Sequence, residues 1–263
     1  MRGYWSIIRR TFLESLSFRT NFIFMILGNV AGILLMYYLW RAVYAGSNGE
    51  LNGLSFIYAF SYVAVSGSIF TMMETLAEWE LAMDISDGDI VMKLYLPLDL
   101  HWLTMFESLG VFLFRLIFVG VPFIVFIIFV FQIPIPVGLN LVFFIISLFL
   151  SFLISINIDF MTGVSAFSFE SVLGLKLVKD TVVLFLAGAV IPLPFFPKAV
   201  QSILMFLPFQ AMYYTPVNLL LGGKAIAESL LMLLVQAGWI VFFTVIGRLF
   251  LKKTLGKLTV SGG

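Results

Sequence analysis

Few residues in this chain have side chains that could do chemistry in place. Among 15 basic and 14 acidic residues, the candidates for ionisable groups at membrane depth are few: Glu74, Glu107, Arg115 and Asp159. Ionisable groups at membrane depth are costly to bury and need partners. Arg115 lies two or three turns into the third run and Asp159 near the end of the fourth. Arg115 is therefore expected to pair with Asp159 or Glu107 and hold helices in register; a direct role on a substrate is the other reading. The single histidine, His101, cannot make the usual zinc site, and no H-E-x-x-H occurs. Gly88–Asp89 matches part of an intramembrane aspartyl protease motif, but in a polar segment with no second aspartate placed to partner it. Gly222-Gly223-Lys224 lacks the spacing and the Ser/Thr of a phosphate-binding loop. There is no cysteine, which rules out a disulfide, a thiolate site or a Cys nucleophile. The chain reads as a non-enzyme that binds no metal or cofactor of its own; ATP, if used, is hydrolysed on another chain.

The elements that carry these residues are set by composition. Hydrophobic residues make up 62% of the chain and charged residues 11%, with mean hydropathy +1.11. That is too little charge to cover a soluble domain. A net charge of +1 gives no signature for nucleic acid. The expected fold class is all-α integral membrane, a single transmembrane domain over 1–263. Six spans are expected at about 22–44, 54–77, 105–131, 138–160, 177–195 and 228–250, each near the ~20 residues that cross a bilayer core. The first run is too long for a signal-peptide core and reads as a retained span.

Lys and Arg near the span ends set the orientation. With the N-terminus inside, eleven fall on the inner side: Arg2, Arg9, Arg10, Arg19, Lys93, Lys176, Lys179, Arg248, Lys252, Lys253 and Lys257. Three fall outside: Arg41, Lys198 and Lys224. Both termini are expected to be cytoplasmic. Before the first span, Trp5, Ile8, Phe12 and Leu16 recur at spacings of three and four. Residues 1–20 thus read as an amphipathic interfacial helix, or else as a basic tail.

Two segments between spans stand out. Residues 78–104 carry Glu78, Glu80, Asp84, Asp87, Asp89 and Asp99 against Lys93 alone, beside Ile85, Ile90, Val91, Leu94 and Leu96. The mixture reads as a docking surface for another protein, or as an ordinary solvated loop. Residues 192–227 hold five of the nine prolines, Pro192, Pro194, Pro197, Pro208 and Pro216. Proline stops helix continuation, and the apolar stretch between them is about half a span. A re-entrant hairpin over 196–222 is one reading and a surface loop the other.

The order of these features resembles the permease subunits of ABC-2-type ABC transporters, in the bacterial paired-permease branch. The basic N-terminal helix precedes span one. Ile85-Ser86-Asp87-Gly88-Asp89-Ile90 followed by Leu94-Tyr95-Leu96-Pro97 is similar to that family's Ile-x-x-Gly-Asp-Ile and Leu-x-x-Pro segment. The stretch Ile191 to Pro216 follows its succession of Pro-Leu, Phe-Pro, Leu-Pro-Phe and Pro. The strongly acidic run from Asp84 to Asp89 departs from that pattern. The resemblance implies six spans, with residues 80–96 as a coupling helix that seats on an ATPase. Asp84, Ile85, Asp87, Gly88, Asp89, Ile90, Leu94 and Pro97 would carry the coupling. It further implies a hairpin closing the outer end of the path, with Pro192, Pro194, Pro197, Pro208 and Phe209 as gate residues. The implied partners are two ABC ATPase subunits holding ATP and Mg, membrane lipid, and a second homologous permease, a heteromer before a homodimer. The implied activity is ATP-driven export at the bacterial cytoplasmic membrane. An ATP-independent channel or secondary carrier, or a scaffold without transport, are the competing readings.

Overall fold

The computed structural model describes residues 2–17, 19–46, 49–133, 138–169 and 172–256. The turn expected between spans three and four falls largely on 134–137, which lie outside the described residues, as does Lys257; so do the side chains of Arg2 and Arg19. The fold is all-helical except for one small hairpin. Five of its helices are long and apolar enough to cross a membrane.

Helix α1 (Arg2–Ser17) lies against α6 (Leu100–Arg115). Gly110 permits the approach. A Cβ there would overlap Thr11 Oγ1 and sit 2.6 Å from the Ile8 carbonyl. Ile8 and Thr11 are buried while Trp5 is 68% exposed. The amphipathic helix is therefore present: of the expected apolar face Ile8 turns inward, Phe12 and Leu16 are half-buried, and Trp5 alone points outward.

Helix α2 (Arg19–Ala45) is followed by β1 (Glu50–Leu51) and β2 (Leu54–Ser55), an antiparallel hairpin. Asn52 and Gly53 both take positive φ, 52° and 75°, as a two-residue primed turn requires. Tyr44 donates to the Leu54 carbonyl at 3.0 Å and ties the hairpin to α2. Ser55 then caps α3 (Phe56–Met73) by accepting from the Tyr58 amide. Of the five long helical runs, the one that α3 opens, Phe56–Asp87, is the most enclosed, whereas α2 and α12 (Ile226–Leu255) are largely exposed. The apolar flanks of those two helices face what would be lipid.

At Leu76 the chain turns left-handed, φ 60°, and restarts as α4 (Ala77–Asp87), which packs on α8 (Leu139–Val164). Gly163 lets them close, since a Cβ there would meet Leu81 at 3.0 Å and the Glu78 carbonyl at 3.1 Å. The expected loop over 78–104 is thus mostly helix. Gly88, φ 84°, ends α4 and α5 (Ile90–Tyr95) follows. Asp99 caps α6, accepting from the Trp102 amide at 3.2 Å. The helix that carries the expected third span begins at Leu100. It passes through a π-helical turn at 116–120 into α7 (Val121–Phe131). Pro122 removes an amide there, which explains the wider turn.

The fifth span departs from expectation. Its helix, α9 (Leu173–Leu186), has 14 residues, about 21 Å of rise, and is not among the five long helices. Gly188, φ 71°, closes it as the Ala189 amide reaches back to the Leu184 carbonyl. Short helices α10 (Lys198–Phe206) and α11 (Tyr214–Leu221) precede α12.

Candidate functional site

A cluster of buried charges joins α4, α8 and α9. Glu78 is 2% exposed. It accepts from Lys176 at 2.7 Å and Lys179 at 3.2 Å. Lys179 also donates to Asp159 of α8, and Asp180 lies 2.8 Å from Lys176 and 3.0 Å from Lys179. Five side chains on three helices thus form one network. Each charge is stable there only because the others are present, since an unpaired buried ion is costly. Met212 and Tyr213 line the same recess, together with Glu74 and Phe70.

The expected pairing of Arg115 with Asp159 or Glu107 is corrected. Arg115 pairs with Glu74 at 3.2 Å and donates to the Thr71 carbonyl at 3.0 Å. Asp159 has Lys179, and Glu107 has Lys93 at 3.1 Å, with Arg10 at 3.9 Å. The cause is the path after α3: Glu74, just past its end, takes Arg115, and α4 runs alongside α8 and brings Glu78 into the bundle. Glu78 belongs to this interior network and not to an exposed acidic surface. His101 is likewise no loop residue. It is 2% exposed on α6 and shares a 2.9 Å hydrogen bond with Asn157.

The residues expected to couple to a partner divide into two sets. Asp84 contacts Lys93 at 2.9 Å, Ile85 packs inward and Ile90 is buried. These hold α5 in place. Asp87, Gly88, Asp89, Leu94 and Pro97 are exposed. Around them Val91, Met92, Tyr95 and Leu96 are also exposed, Met92 at 74% and Tyr95 at 85%. The result is an apolar patch edged by two carboxylates, carried on a short helix that Lys93 clamps to α4 and α6. Burial works against the charge on Lys93, but Asp84 and Glu107 prevail and raise its pKa above the ordinary lysine value.

At the opposite end, Pro192 and Pro208 are buried, Pro194 and Phe209 half-buried and Pro197 exposed. They lie on one continuous segment. Phe195 meets Trp40 near the end of α2, ring centres 5.1 Å apart. The chain then descends, and the Ala211 carbonyl accepts from Ser151 at 3.1 Å and from Gln236 at 2.8 Å. Ser151 is 12 residues, about 18 Å, along α8 from Leu139. Gln236 also donates to Ser147 and Ser151 of α8. Sequence reasoning passed over this knot, although a glutamine within an apolar run is the kind of residue that signals one. Among the described residues no group of three or more His, Asp or Glu is arranged to hold a metal ion.

The profile of the ABC-2 family transporter proteins matches residues 27–262. The chain belongs to that family. It is a multi-pass membrane protein, the permease component of an ABC transporter, and its family implies association with ABC ATPase subunits. No curated protein matches it. The ABC-2 profile spans both the patch on α5 and the descending segment at the other end, so both belong to the family's shared body. It begins after α1, which the bundle nonetheless engages through Gly110.

Proposed function

We propose that this chain is the permease subunit of an ATP-driven exporter in a bacterial cytoplasmic membrane, with both termini cytoplasmic. The observation that carries the reading is the exposed patch of Val91, Met92, Tyr95 and Leu96 edged by Asp87 and Asp89. It is held at the tip of a helix whose base is fastened by Glu78 to Lys176 and Lys179. Patches of this kind mark protein interaction sites. ATP and Mg sit on two partner ATPase subunits. When these close, the patch moves, α4 moves with it, and the charge network passes the displacement to α8, α9 and Tyr213. The segment from Pro192 to Leu221 acts as a re-entrant hairpin, and α9 with the residues after it completes a sixth crossing. A second homologous permease, different from this chain, supplies the other wall of the path.

The buried carboxylate of Asp159 is what favours an ion-coupled carrier instead. Its lysine partner makes it a fastening more readily than a proton site. The test is co-purification in mild detergent from the native membrane. The wild-type chain should bring down an ATPase and a second six-span chain, and the double variant Asp87→Lys, Asp89→Lys should lose the ATPase or uncouple its hydrolysis from transport. Recovery of this chain alone, or full coupling in the variant, overturns the proposal.

A further inference from the structure

A recess of about 540 Å³ opens between α1, α4 and α6. This is within the range of small-molecule sites. Its charged lining is Arg10, Lys93 and Arg115 against Glu14, Glu80, Asp84 and Glu107. All three cations are engaged: Arg10 with Glu14 at 3.3 Å, Lys93 with Asp84 and Glu107, Arg115 with Glu74. Glu80 has no ion pair among the described residues; its pKa is raised, by partial desolvation first and then by Glu107, with Asp84 and Glu14 adding and Lys93 opposing. Trp79 lines the recess beside it. Thr75, 4% exposed, also lines it, and its buried hydroxyl has no hydrogen-bond partner. The recess thus has one acid too many, an aromatic ring and an unanswered hydroxyl.

One helical turn further along α3, on the other side of the Arg115–Thr71 contact, lies a second and mainly apolar chamber of about 220 Å³. Gly28, Gly32 and Gly67 line it, and a Cβ at any of the three would meet nothing within 4 Å. The Ser66 hydroxyl and the Asn29 amide nitrogen at its wall are buried without partners. Glycines with open space before them leave room along α2 and α3 for an apolar chain.

We infer that the two spaces together take an amphipathic cation, with its ammonium head beside Glu80 and Trp79 and its apolar chain along Gly28, Gly32 and Gly67. A cation would answer the surplus carboxylate and face the indole, a favourable pairing. An anion would meet an acidic recess whose cations are already occupied. The inference names a substrate class for the exporter proposed above and rests on that reading. Binding needs no ATPase, however, so the two fail separately.

The test uses the full chain in phosphatidylglycerol nanodiscs and tetradecylamine carrying a mid-chain diazirine. Photolabelling should map to residues around Met36 and Val63. Unlabelled tetradecylamine should displace the probe, whereas tetradecanol and tetradecyl sulfate should not. Glu80→Gln, at an exposed position, should weaken binding about tenfold. Gly67→Leu should block the chamber without a clash, so that a loss of labelling in a chain that still elutes as a single species reports the site. Phosphatidylethanolamine, a zwitterion, should not displace the probe, since its phosphate would meet the acidic recess; displacement by it would overturn the cationic class. Equal displacement by the sulfate, labelling unchanged in both variants, or label spread over the lipid-facing side of α12 overturns the inference.

Discussion

At the residue scale, Lys179 answers two carboxylates that have almost no contact with solvent. Removing it leaves the buried Asp159 without a cation and Glu78 with Lys176 alone. Lys179→Met should therefore destabilise the protein by about 3–5 kcal/mol, read as an earlier thermal unfolding midpoint in detergent. Adding Asp159→Asn should recover a large part of that loss. A loss under about 1 kcal/mol for the single variant would mean that the network is solvated and fastens nothing. The Lys93 clamp behaves differently with pH. Because its folded pKa is raised, its contribution is complete below the ordinary lysine value. It fades only as pH rises through the raised value. The distance between spin labels placed on α5 and α6 should therefore stay constant from about pH 6 to 9, and a widening within that range would contradict the clamp.

At the element scale, helix positions were more legible than helix contacts. The apolar runs gave α2, α3, α8 and α12 to within about five residues at each end, because length and hydropathy are properties of one segment. Pairing was not legible, because it depends on how α4 lies on α8. Nothing in the 78–104 sequence distinguishes an acid that faces Lys176 from one that faces solvent. Even so, some available signals went unused: Asn52-Gly53 is a hairpin signature, and Gln236 stands alone among apolar neighbours. The expected fifth span at 177–195 is carried by the 14-residue α9, because Gly188 and Pro192 end the helix before the apolar run ends. Close packing of α1 on α6 depends on Gly110. Gly110→Leu should lift α1 away. With Cys in place of Tyr4 and Phe106, whose rings lie 4.6 Å apart, a flexible bis-maleimide should bridge the pair on the parent background and fail with Gly110→Leu. Undiminished cross-linking would mean that α1 is held from elsewhere.

At the scale of the whole molecule, the charge bias of the span ends predicts the sidedness of everything described. The chain has no cysteine, so single introduced thiols report without background. Cys at Asp87 should react with an impermeant maleimide only from the cytoplasmic side, and Cys at Lys224 only from the outside; the reverse pattern would invert the proposed direction of export. The continuous acidic and apolar signature near Gly88 was readable as an interface, while the reach of 208–213 towards Asp159 was not, because it is a tertiary path across short elements. One feature between these regions bears on how motion travels. Leu76 is held left-handed, at a cost of roughly 1–2 kcal/mol for a residue with a Cβ. Leu76→Gly would relieve that and lose about 0.5–1 kcal/mol through the freer unfolded chain, so the melting point should scarcely move. Yet the elbow would turn slack, and the ATPase would run without load, hydrolysing as before while export stopped.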